Sequence, residues 1–221
     1  MPLSYKETAA PVVEPVLLAD AKTQCVVATS FTDDDAFLTR LIVAARQYCE
    51  KVMNRAIFNR PMTLWLDYFP YWHPETTVNP NDRPQFWFKA FRPEPIKLPK
   101  PGCVTVSSIV YIDPTGTPQT LDPSTYSLAL NSEPARIIPV AGYWPLVNPM
   151  AIENVSIYYI AGTYGDGVDE NTCPETIKQA ILLLVSYWYN HRDAAESQPP
   201  KDIAAGVANL LAGEIFDTVS F

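Results

Sequence analysis

Thr32-Asp33-Asp34-Asp35-Ala36-Phe37-Leu38-Thr39-Arg40-Leu41-Ile42-Val43-Ala44-Ala45-Arg46-Gln47-Tyr48-Cys49-Glu50 is the stretch from which the fold is read. The Thr32 hydroxyl is placed to cap free amides, and the three carboxylates sit at the positive end of a helix dipole. Phe37, Leu38, Leu41, Ile42, Ala45, Tyr48, Cys49 and Val52 then recur at helical spacing. The spacing predicts a helix with one broad apolar face through about Met53. A face that broad requires other apolar elements against it.

Toward the amino terminus, a Pro-rich lead-in precedes a short helix expected over residues 18–27. Toward the carboxyl terminus the pattern changes to β. Residues 62–69, 96–98 and 104–112 read as strands, with Asp113-Pro114-Thr115-Gly116 as a turn. Further short strands are expected over 126–130, 135–140 and 155–161, and the prolines among them suggest edges and corners. A third helix starts near Pro174, whose missing amide costs nothing in a first turn, and runs to about His191. It is apolar nearly all round, which predicts a central place or cover from a neighbouring subunit. Gln198-Pro199-Pro200 separates it from a weaker helix over 203–211 and an apolar tail.

Composition bounds the chemistry. Hydrophobic residues make up 48% and charged residues 18% of the 221, so a globular chain is expected, while 22 prolines against 8 glycines predict many rigid connections. A formal net charge of −8 without a basic run disfavours tight binding to DNA phosphates, yet suits a surface that DNA slides past. Four scattered cysteines and two histidines lack zinc spacing and read as reduced, mostly buried thiols. The first ten residues resemble neither a signal peptide nor a membrane anchor, so a cytoplasmic site of synthesis is expected. Asp33, Asp34 and Asp35 read as helix-start acids rather than metal ligands, and Asp166-Gly167-Val168-Asp169-Glu170 as a turn rather than a calcium loop. With no nucleophile motif and no phosphate-cradling loop, neither an enzyme nor a cofactor is expected.

Four segments in order carry a resemblance to the head-to-tail connector proteins of tailed bacteriophages, also called adaptor or head-completion proteins. They are the acid-led helix already quoted, Asn54-Arg55-Ala56-Ile57, and the hairpin region from Val106 to Asp113 with Gly116, Leu121-Asp122-Pro123, Tyr126 and Glu133-Pro134-Ala135-Arg136-Ile137. The fourth is Pro174-Glu175-Thr176-Ile177-Lys178-Gln179-Ala180-Ile181-Leu182-Leu183-Leu184-Val185 with Trp188, Tyr189 and Arg192. The resemblance implies an α+β, mainly α-helical fold: a helical bundle with an inserted small antiparallel β-domain and an extended C-terminal arm. It also implies a dodecameric ring beneath the portal protein, extending the DNA channel without sequence-specific binding and meeting the tail or next neck protein. No membrane partner is implied.

On this reading residues 1–60 hold the first helices, 61–165 the inserted β-rich domain, 166–198 the core helix, and 199–221 a last helix and assembly arm. Ile215, Phe216, Val219 and Phe221 are the candidates for portal docking, by position and apolarity. An aromatic, Pro-rich loop over 71–95 departs from the family pattern. Its Trp72, Phe86, Trp87, Phe88 and Phe91 read as packing on their own domain, as a second partner interface, or as a sugar platform. Arg40 and Arg46 are solvated helix charges or bridges between subunits, and Tyr187 and Tyr189 are candidates for the same inter-subunit contact. A carbohydrate-binding module, a metal-dependent hydrolase built from converging Asp segments, and another neck or tail-completion role are the competing readings.

Overall fold

The computed structural model describes residues 3–70, 94–169, 171–192 and 201–216. The chain divides into two compact units, one built from an amino-terminal strand with Arg60–Ala161, the other from residues 10–59 and the described residues of 162–216.

The second unit holds four α-helices among the described residues: α1 (Leu18–Gln24), α2 (Asp35–Met53), α3 (Glu175–Asn190) and α4 (Lys201–Leu211). The apolar spacing of α2 buries Leu38, Ile42, Ala45, Cys49 and Met53, and these join one core with Ile177, Ala180, Ile181, Leu184 and Val185 of α3. Each large aliphatic side chain so buried contributes about 1.5–3 kcal/mol. The start of α2 differs from the expected cap. The helix begins at Asp35 with Asp34 as its N-cap and no side-chain cap bond, so Thr32 serves through its carbonyl, which accepts from Asp35 N at 3.1 Å. Asp35 keeps its place in the first turn, where its carboxylate meets Lys22 Nζ at 2.6 Å. The far end stops at Asn54, whose φ of 54° is the left-handed turn that ends many helices. Pro174 is extended and stands just before α3 rather than inside its first turn.

The first unit is all antiparallel. A five-stranded sheet runs in the order β1 (Leu3–Glu7), β2 (Arg60–Leu66), β8 (Val155–Ala161), β4 (Cys103–Ile112), β5 (Pro118–Thr120). A three-stranded sheet orders β3 (Ile96–Lys97), β7 (Arg136–Pro139), β6 (Tyr126–Ala129). Central β8 alternates, with Val155, Ile157, Tyr159 and Ala161 buried, and register sets Leu66, Leu64 and Met62 of β2 opposite the first three. The Tyr159 hydroxyl reaches its own acceptor, Pro99 O, at 2.8 Å. Arg60 is buried at the start of β2 and survives there because Nη1 holds Glu7 of β1 at 2.9 Å.

One expectation changes. The architecture is α+β, but the helices do not dominate it, because β1 and β5 widen the sheet beyond the strands the sequence suggested. The weaker helix expected over 203–211 forms as α4, and its Val207 and Leu211 are buried in the helical core, since an amphipathic helix beside an uncovered apolar face gains by covering it. Residues 217–221 lie outside the described residues.

All four cysteines are free and buried. Burial pushes Cys49 and Cys173 up to about 12 and Cys103 up to about 11, which leaves them as small apolar side chains rather than nucleophiles. The expected turn after β4 is built around Asp113. Its carboxylate accepts from Thr115 Oγ1 at 2.5 Å, Thr115 N at 2.9 Å, Thr117 N at 3.0 Å and Gln119 Nε2 at 3.1 Å. Hydrogen bonds from Thr115, Thr117 and Gln119 hold its pKa at about 2. The unfolded value is about 3.9, so the folded value is depressed. The turn's contribution to stability is therefore complete above the unfolded value and is lost as pH falls toward the folded one. A carboxyl-carbon NMR titration is expected to place the native midpoint near 2, and an ordinary Asp midpoint would show that the turn bonds do not persist in solution.

Candidate partner-binding surfaces

Charged and aromatic side chains gather where α2 begins and α3 ends. Asp34 Oδ2 accepts from the Tyr189 hydroxyl at 2.6 Å and from Arg192 Nη2 at 2.6 Å. The Arg192 guanidinium lies 4.6 Å from the Tyr189 ring centre and 4.8 Å from that of Phe37, distances at which a cation is attracted to a ring face. Arg40, exposed one turn into α2, reaches the same Phe37 ring at 5.9 Å. The hydrogen bonds from Arg192 and Tyr189 hold the Asp34 carboxyl below its ordinary pKa. This arrangement ties two helix ends together and leaves Arg40 and Arg192 at the surface, where a neighbouring molecule can reach them. It brings Arg40 and Tyr189 to one place. Asp34, Phe37 and Arg192 belong to it as well, and their sequence signal was only their position at two helix termini.

Arg46 is a correction. It is neither a solvated charge nor a bridge available to another subunit, because it is 2% exposed. Its Nε holds Glu14 at 2.7 Å and its Nη1 holds Glu50 at 2.7 Å, while Glu50 Oε1 accepts from Ile57 N at 2.9 Å. Burial on its own disfavours the charged guanidinium, but the bonds and charges of Glu14 and Glu50 outweigh it and raise the pKa. The physical cause is geometric: position 46 falls within the arc of Ile42, Ala45, Cys49 and Met53, the face that α2 buries. Tyr187 is half-buried and stacks on His191 with ring centres 4.4 Å apart.

The carboxyl-terminal candidates divide. Phe216 is half-buried, its amide donates to Met53 O at 2.9 Å, and the Arg55 guanidinium lies 5.9 Å from its ring centre. Arg55 Nε also donates to Glu214 O at 2.7 Å, and the Tyr164 hydroxyl donates to the Glu214 carboxylate. Phe216 is thus spent on its own unit. Ile215 is 44% exposed and remains open to a partner. Val219 and Phe221, and the aromatic group Trp72, Phe86, Trp87, Phe88 and Phe91, lie outside the described residues.

Among the described residues, no three His, Cys, Asp or Glu side chains come together in a group that could hold a metal ion. Asp166 Oδ1 accepts from Val168 N at 2.8 Å and Asp169 N at 2.9 Å, the bonding of a turn. A groove of about 600 Å³ has Glu14, Asp20 and Glu175 in its lining against Lys178, an excess of negative charge that disfavours phosphate. No described helix is long and apolar enough to cross a membrane.

No family model and no curated protein matches the chain. Solved structures do. The neck of an empty gene transfer agent particle computed with C6 symmetry contains a chain that is 20% identical, with a TM-score of 0.71 over 98% of this chain and 97% of that one. A chain in the virion of a native gene transfer agent particle matches with 18% identity and a TM-score of 0.67 over 98% and 97%. The neck of the native particle computed with C12 symmetry contains a chain matching with 19% identity and a TM-score of 0.64 over the same shares. The likeness extends through both units, so the fold is one these particle chains share, and it agrees with the connector resemblance in the sequence.

Proposed function

We propose that this chain is a structural subunit of the neck of a tailed-phage-like virion, a head-to-tail connector that assembles as a closed ring beneath the portal protein. The observation that carries the reading is the fold shared over 98% of the chain with neck chains of a particle computed with C6 and C12 symmetry. Each subunit repeats one heterologous contact around an axis, and rotational closure yields a ring able to meet a symmetric portal on one side and a tail or next neck protein on the other. The ring extends the DNA channel and helps close the filled head. An acidic chain of net charge −8 suits that task, since phosphates pass it without being held. The work is geometric, without catalysis or cofactor, and assembly takes place in the host cytoplasm. Ile215, with Val219 and Phe221 beyond it, is the segment assigned to the portal. Arg40, Tyr187 and Tyr189 are assigned to contacts between subunits.

Cryo-electron microscopy of purified particles tests the reading directly. Density for this chain is expected in a rotationally symmetric ring at the portal vertex. Density elsewhere in the particle, or particles lacking the chain, overturns it.

A further inference from the structure

The connection between β7 and β8 exposes side chains that soluble loops usually avoid. Val140 is 65%, Tyr143 74%, Leu146 69%, Met150 92% and Ile152 78% exposed. Residues 137–152 carry no charged side chain, in a chain whose net charge is −8. Scattered exposed apolar residues are ordinary, but several in one short uncharged segment mark an interaction surface.

The backbone beneath them is fixed. Trp144 is buried and stacks on Phe69, with ring centres 4.7 Å apart and planes within 7°. Asn154 Nδ2, with its two N–H donors, sits among Asp67 O at 2.9 Å and Asn148 O and Ala151 O at 2.8 Å, tying the far end of the segment into a knot. Asn148 N donates to Ile112 O at 3.0 Å, Ile112 N to Asn154 O at 2.8 Å, and Glu153 N to Asp67 Oδ1 at 2.9 Å. At the near end Val140 N donates to Thr125 O at 2.9 Å. A segment held this way loses little backbone freedom when it binds, which favours association.

We propose that this segment docks on a second copy of this chain, Tyr143, Leu146 and Met150 entering the neighbour's surface. The inference rests on the ring reading, which requires each copy to present a surface to the next. Electrostatics selects the segment: two copies of net charge −8 repel, and contact through an uncharged apolar surface adds no further like-charge pair.

The test places a photo-crosslinking phenylalanine analogue at Tyr143 or Met150 of the full chain, with Val12, 91% exposed in the helical unit, as the reference position. In purified particles the two loop positions are expected to give a crosslinked pair of copies of this chain. A crosslink to a different virion protein, a crosslink only within the same chain, or no yield above that at Val12 overturns the inference while leaving the neck reading intact. Particles lacking the chain defeat the neck reading instead, and sedimentation of the purified full chain then decides. The wild type is expected to self-associate and Leu146→Asp with Met150→Asp to weaken this by on the order of 100-fold with an unchanged thermal midpoint. A wild-type chain that stays monomeric, or variants that associate equally well, would sink it.

Discussion

Gly162→Ala is expected to destabilise the chain by about 3 kcal/mol or more, measured as a lower urea midpoint at unchanged slope. A Cβ at this position would lie 2.3 Å from Asn59 N and 2.5 Å from Asn59 Cα, and backbone atoms have no rotamer by which to retreat. The clash would be relieved only by separating two strands of chain that are bonded together. Thr163 N donates to Ala56 O at 3.1 Å, Tyr164 N to Ile57 O at 3.0 Å, and Asn59 N to Gly165 O at 2.8 Å. Each bond lost adds roughly 1 kcal/mol, more where a buried group is left without a partner. Gly206→Ala is the counterpart. That glycine lies within α4, a Cβ there meets nothing within 4 Å, and the substitution is expected to stabilise by roughly 0.5–1 kcal/mol. Equal effects at the two positions would show that the approach of residues 59 and 162 is not what glycine serves.

The second large effect belongs to Arg46→Met, expected to cost roughly 3–5 kcal/mol. The side chain fits the space of the arginine stem, so the loss comes from charge rather than volume. Glu50, with 7% of its side chain exposed, would keep its bond to Ile57 N and lose its ion pair with Arg46. Glu14, 25% exposed, can turn to water. Adding Glu50→Gln removes the carboxylate charge that Arg46 faced, so the double variant is expected to recover more than half of the loss. No recovery would mean that packing, and not the buried charge, sets the cost. Arg40→Met, on the exposed side of the same helix, should stay within about 0.5 kcal/mol of the wild type.

Both sites show what sequence can and cannot reveal. The α2 and α3 cores were legible because Leu38, Ile42, Ala45, Cys49 and Met53, or Ile177, Ile181, Leu184 and Val185, repeat at the helical period, and that signal is local. β8 was legible through the alternation of Val155, Ile157 and Tyr159. β1 was not, because Leu3-Ser4-Tyr5-Lys6-Glu7 is too short and too polar to declare a strand without its partner β2. The reading of Arg46 failed for a different reason. An arginine's type suggests a solvated charge, but Ile42, Ala45 and Cys49 place position 46 on the buried face, and Glu50 one turn on supplies a counter-charge. Of the surface candidates, Arg40, Tyr189 and Ile215 had signals of position and type, while the Asp34, Phe37 and Arg192 cluster exists only once two distant helix ends meet.

The interleaving of the two units also sets an order of events on the ribosome. β1 leaves the exit tunnel ahead of β2, so Glu7 waits for Arg60, 53 positions later, and β2 then waits for β8 before it becomes an interior strand. Likewise Asp34 finds Tyr189 only 155 positions on, so the apolar face of α2 emerges long before α3 arrives to cover it. Neither unit closes until most of the chain has been made, and folding is therefore dominated by distant pairings, the class that proceeds slowly and passes through exposed intermediates. Yield during synthesis should consequently depend on chaperone supply and growth temperature more steeply than the stability of the finished chain does.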